Sequence, residues 1–271
     1  MPKINEMFTT SVIKLARAGE HLAEIEKLLV EYENSKPARV VLKPSYENFI
    51  NPPKSYIKIT TRMAEPPPER IKAVLGDFLH NLRSALDTAV FPLVEDKFDN
   101  KRLIQFVISE DEASFRDKFD KKFAPHLNEA TISVIKESKP FKGGNALLYA
   151  LSDLNNIDKH RYHIVASADA GGTITGEQFA TLVPPGTYIA RFQSIILGGT
   201  LIIPMVGEWS EPKKLQDFIS DNNSLPIPAK VFLEPPSYEH SEELYYVCHE
   251  MKQEVEKLVK KLINANKKDE M

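Results

Sequence analysis

Residues 66–93, PPPERIKAVLGDFLHNLRSALDTAVFPL, constrain the fold more than any other stretch. Three prolines stand where a helix can begin, because the first turn has no use for its amide donors. From about residue 67 to 93 the apolar residues recur at helical period. At roughly 100° per residue, Ile71, Val74, Leu75, Phe78, Leu79, Leu82, Ala85, Leu86, Ala89, Val90 and Leu93 fill one arc. An arc that wide must be covered on more than one side, so the helix is expected in a core. The other face carries Asp77, His80, Asn81, Arg83, Ser84, Asp87 and Thr88, with neither Lys nor Glu. Short polar residues lose little side-chain entropy when fixed, whereas Lys and Glu suit free water. The spacing of Arg83 and Asp87 allows an i,i+4 ion pair, with His80 one turn below.

Other segments supply partners for this helix. Residues 7–33 read as an amphipathic helix with Phe8, Val12, Leu15, Leu22, Ile25, Leu28 and Leu29 on one stripe. ARVVLK (38–43) and SYIKITTRM (55–63) read as strands, and RLIQFVIS (102–109) as a short one. Two short helices follow, over DEASFRDKFDKKF and LNEATISVIKESKP, and a longer one over NALLYALSDLNNIDKH. From about 161 to 207 the pattern turns to antiparallel β, with Gly198-Gly199 as a hairpin signal, and AKVFLEP adds a late strand. The C-terminal helix, about 238–267, carries Leu244, Cys248, Met251, Val255, Leu258 and Leu262 near the coiled-coil period. The expected fold is α+β: a helical core of long amphipathic helices with a meandering antiparallel β-sheet. No long linker interrupts it, so residues 1–271 read as a single domain, helix-rich over 1–160 and β-rich over 161–235. The two terminal helices are expected to pair, and they offer a surface for oligomerisation.

Cys248 is the only cysteine, which excludes an internal disulfide and fits a reducing compartment. No stretch has the unbroken apolar run of a signal peptide or the roughly 20 residues needed to cross a bilayer. The expected location is the cytoplasm, away from membranes. A net charge of −3 gives no global attraction to nucleic acid. There is no Gly-rich phosphate loop, HExxH or EF-hand loop, and no cofactor is implied.

A second polar stretch, LNNIDKHRYH (154–163), ends the helix before the β region. Helical extension puts Asp158 and Arg161 near the apolar stripe and Asn156, Lys159 and His160 outward. A buried charge needs a partner. Asp158 is therefore expected to meet Arg83 directly, with Asp87 and Arg161 in the same network. His160, His163, Asp158 and His80 have metal-ligating chemistry, but a helix-to-strand switch between the two histidines separates their side chains, so no metal site is assigned. Ser84, His80 and Asp87 lie on one helix without a strained nucleophile turn, which argues against a hydrolase triad.

The pair LHNLRSALD and NNIDKHR resembles an uncharacterised bacterial protein family marked by LHNLRSALDH-like and NxxDKHR-like segments. The first stretch is also similar, in part, to the HEPN superfamily of helical ribonucleases. There an Arg followed four to six residues later by His marks the active site. That resemblance implies Arg83 on a phosphate and metal-independent attack by a ribose hydroxyl. Here the histidine's place is held by Thr88, which cannot serve as an acid or base near neutral pH, leaving His80 or His160 for the task.

Three readings of the polar residues follow. In the first, His80, Asn81, Arg83, Asp87, Asn156, Asp158, Lys159 and Arg161 bind a small anionic or nucleotide-like ligand between the two helices. In the second, His80, Arg83 and His160 catalyse phosphodiester cleavage. In the third, the residues only lock the core.

Overall fold

The computed structural model describes residues 8–47, 54–160, 166–169, 173–175, 177, 180–184, 194–196, 200–205, 207–221, 224–233 and 242–267. The fold is α+β, as the periodicity predicts. The described residues form two compact units, one drawn from 1–28, 69–166 and 233–271, the other from 29–68 and 167–232. The division does not follow the expected order of a helix-rich part and then a β-rich part. Strands at 38–63 join residues from beyond 167, because backbone pairing between distant segments leaves no local signature in either.

In the first unit, helix α1 (Thr9–Asn34) begins, running on into the second. Its buried face is Phe8, Ser11, Ala18, Leu22 and Ile25. Val12, expected on that stripe, is 52% exposed. Ser11 takes the inward place because its hydroxyl donates to the Ala85 carbonyl at 2.7 Å, so the small polar side chain is buried satisfied. Helix α2 (Glu69–Val94) carries the arc read from the sequence, and all of it but Leu93 is buried. It packs against α5 (Ala146–His160) and against α7 (Leu244–Lys267).

Two shorter helices lie between. Asp111 caps α3 (Glu112–Lys122), accepting from the Ser114 amide at 2.7 Å. Asn128 caps α4 (Glu129–Glu137) in the same way through Thr131, at 2.7 Å. Asn145 then caps α5, accepting from the Leu148 amide at 3.1 Å. The turn before it is tight: the Asn145 amide donates back to the Lys139 carbonyl at 2.8 Å. A Cβ on Gly144 would lie 2.5 Å from that carbonyl oxygen, so only glycine fits this bend. At Gly19, α1 comes close enough to α7 that an added Cβ would touch the Lys252 side chain at 3.3 Å, so the terminal helices do meet.

The expected strand at 102–109 is not one. A 3-10 turn covers Lys101–Leu103, and the following residues run extended with Ile104 and Phe106 buried. Ser109 makes an isolated parallel bridge with Phe141. The alternation is real, but the backbone of Phe106 pairs with side chains instead of a strand.

The second unit holds a four-stranded antiparallel sheet in the order β6 (Thr200–Pro204), β2 (Lys54–Met63), β1 (Ala38–Glu47), β7 (Ser224–Ile227). β1 (Ala38–Glu47) and β2 (Lys54–Met63) pair from Ala38↔Met63 to Glu47↔Lys54, and the apolar pair Leu42↔Ile59 is buried. Two short strands, β3 (Ala166–Asp169) and β8 (Lys230–Leu233), lie side by side in a further sheet. β4 (Thr173–Thr175) pairs with β5 (Ser194–Ile196). β6 (Thr200–Pro204) pairs with β2, and β7 (Ser224–Ile227) with β1. The turn expected at Gly198-Gly199 lies outside the described residues; β5 and β6, on either side of it, pair with β4 and β2. Helix α6 (Pro212–Asp221) packs on β1 and buries Leu215 and Ile219. Its sequence signals, a proline at the first helical position and apolar residues at i, i+3 and i+4, are present but short.

Among the described residues no helix is long and apolar enough to cross a membrane. Cys248 is 1% exposed on α7, and burial pushes its thiol up to about 12. The thiolate is the reactive form, so the native protein should resist alkylation near neutral pH. Labelling by iodoacetamide should track opening of the first unit and become fast only in denaturant. Rapid stoichiometric labelling of the native chain would show that α7 is not packed as described.

Candidate functional site

Arg83 is the best-buried charged residue of the first polar stretch, at 9% exposed. Its position on α2 faces the extended segment after residue 103. One amino group, Nη2, donates to the Phe106 carbonyl at 2.6 Å and meets Asp87 Oδ1 at 3.0 Å. Nε donates to Asp87 Oδ2 at 3.4 Å. The Phe106 amide in turn donates to Asp87 Oδ1 at 2.9 Å. The ion pair thus grips both polar groups of one peptide, supplying the donor and acceptor that a neighbouring strand would have supplied. Charge-assisted hydrogen bonds of this kind are stronger than neutral ones.

One donor is left over. Arg83 Nη1 is buried and has no hydrogen-bond partner. Arg83 lines a cavity of about 550 Å³ bounded by α2, α3, α5 and residues 98–108. From α5 come Ser152, Asn155 and Asn156. Asn155 is 3% exposed, a buried amide side chain on the cavity lining. From α3 come Lys118 and Lys122, both exposed, with Asp111 and Asp117 as charged neighbours. The apolar lining includes Phe98, Phe106, Phe123 and Leu103, the last 66% exposed. Phe98 and Phe123 rings lie 5.3 Å apart. The size is that of a small-molecule site, for which volumes of roughly 300–1,000 Å³ are usual.

The structure brings together only some of the residues expected to form a site. Arg83, Asp87 and Asn156 border the cavity. His80 does not: it is exposed, with a ring nitrogen 3.4 Å from the Ser84 hydroxyl. Asn81 donates to the Asp77 carbonyl at 2.8 Å, and Thr88 to the Ser84 carbonyl at 2.7 Å. These short polar groups turn back onto their own helix. The side chains of Lys159 and His160, and all of Arg161 and His163, lie outside the described residues.

Asp158 does not meet Arg83. Its carboxylate is exposed and rests over Gly76, where an added Cβ would lie 2.7 Å from Oδ1 and 2.8 Å from Oδ2. With Asp158 beside Gly76, and Asn155 and Ser152 sharing a cavity with Arg83, α2 and α5 run antiparallel. That register sets Asp158 about two turns from Arg83 along α2. The expected pairing assumed no offset between the helices, and nothing local to either fixes one.

Sequence reasoning missed Asn155, Lys118 and Lys122. Asn155 had a signal: it follows Leu148 and Leu151 at helical spacing, so an amide stands on the apolar stripe. The lysines had none, since DKFDKK reads as a solvated face. Comparison of the chain with protein-family models, curated proteins and solved structures finds no match.

Proposed function

We propose that this protein is a binding module for a small anionic or nucleotide-like ligand, held in the cavity beside Arg83. The observation that carries this reading is a buried donor without a protein partner, Nη1 of Arg83, on a residue that lines the cavity together with the buried Asn155. Burying such a group unpaired typically costs about 1–3 kcal/mol, which a ligand acceptor offsets. The cationic groups at the cavity support an anion, because Asp87 is already engaged by Arg83. The HEPN-like alternative calls for an acid or base beside Arg83; His80 does not border the cavity, and the side chain of His160 lies outside the described residues.

Native mass spectrometry of protein purified from its own host tests the reading. The expected spectrum carries a small-molecule adduct that is lost on mild denaturation and is absent from Asn155→Leu. Adduct-free spectra for wild type and variant alike, from freshly lysed cells, would overturn it.

A further inference from the structure

The cavity divides into two chemically different parts, and the division narrows the ligand. This step rests on the binding reading above. We infer that the occupant is a nucleoside monophosphate, its planar base inside and its phosphate on Lys118 and Lys122.

The outer part is cationic. Lys118 and Lys122 are one helical turn apart on α3 and border the same cavity. Side chains at i and i+4 lie on one helix face, so two ammonium groups can converge on one anion. Each is a compact charge with several donors, suited to a tetrahedral oxyanion rather than to planar bidentate recognition. A phosphate monoester carries about −1.5 to −2 at pH 7 and three acceptor oxygens, which the two lysines match. A triphosphate would bring further charge, and the described lining holds no further uncompensated cation to meet it. Arg83 does not serve this role, because Asp87 balances its charge.

The inner part is neutral and directional. Arg83 Nη1 can only donate, so its partner must be an acceptor such as a ring carbonyl or ring nitrogen. The Asn155 amide both donates and accepts, which suits the edge of a heterocycle. Phe98 and Phe123 add aromatic surface to the same cavity, and the exposed Leu103 is left for an apolar body to cover. A simple inorganic anion would use none of these groups. An aliphatic acid would leave the Phe98 and Phe123 surface without a planar partner.

Calorimetric titration of the full chain with AMP, CMP, GMP and UMP tests this, with the matching nucleosides, nucleoside triphosphates and inorganic phosphate alongside. At least one monophosphate should bind more tightly than its nucleoside, its triphosphate and phosphate alone. The double variant Lys118→Gln, Lys122→Gln changes only exposed residues, so its fold should be intact. It should weaken the monophosphate by about tenfold to a hundredfold, to the level of the nucleoside. Asn155→Leu should weaken nucleoside and monophosphate together. The inference is overturned if phosphate alone binds as tightly as the monophosphates, or if the lysine variant binds them unchanged. It also falls if no nucleotide binds while host-purified protein carries another anion, an outcome that leaves the binding reading standing. No binding and no adduct would remove both.

Discussion

Replacing Arg83 with alanine should lower the unfolding free energy of the first unit by about 3 kcal/mol, the low end for a broken buried ion pair. The low end applies because the Asp87 side chain keeps 27% of its exposure and can be partly rehydrated. Three losses coincide: the charge partner of Asp87, the donor to the Phe106 carbonyl, and the packing of the guanidinium stem. Asp87→Ala should cost a similar amount, since it strands Arg83 and frees the Phe106 amide. The double variant should be far less costly than the two single losses added, because both remove the same network. Denaturant titration of the four proteins measures the coupling. A loss below about 1 kcal/mol for Arg83→Ala would show that the clamp on Phe106 carries little stability and that the guanidinium is held chiefly for a ligand.

Leu82→Ala should cost about 2–5 kcal/mol, the range for emptying a fully enclosed leucine site. Leu82 is 0% exposed at the middle of α2, the helix that packs against both α5 and α7. Two probes localise the effect. Cys248 lies in the first unit and Trp209, the only tryptophan, in the second. Cys248 alkylation should shift to lower denaturant by the full amount, whereas Trp209 fluorescence reads the second unit directly. A loss below about half a kcal/mol by the Cys248 probe would contradict the packing of α2.

What the sequence disclosed was chiefly what period and punctuation encode. The α2 arc, the α7 seam through Leu244, Cys248, Met251, Val255, Leu258 and Leu262, and the β1 and β2 strands were legible because each pattern repeats over several turns or residues. The i,i+4 pair of Arg83 and Asp87 was legible for the same reason. Its target was not, because the Phe106 peptide lies 19 residues from Asp87 and shows no side-chain signature. Strand partnership failed likewise: β5 and β6 are close in sequence yet pair with β4 and β2. Half of the candidate site was readable, on α2 and α5. The other half comes from lysines that look like ordinary surface until α3 is folded against the cavity.

Gly76 and Asp158 behave as a single position written in two places. The carboxylate lies where a Cβ of residue 76 would project, so the identity allowed at one depends on the identity held at the other. Any side chain at 76 displaces Asp158 or requires a shorter residue there, while glycine at 76 carries the usual helix cost of about 1 kcal/mol relative to alanine. Changes at the two positions should therefore be tolerated in sequence divergence mainly as a pair, making 76 and 158 a covarying couple that ties the LHNLRSALD helix to the NNIDKHR helix independently of any ligand.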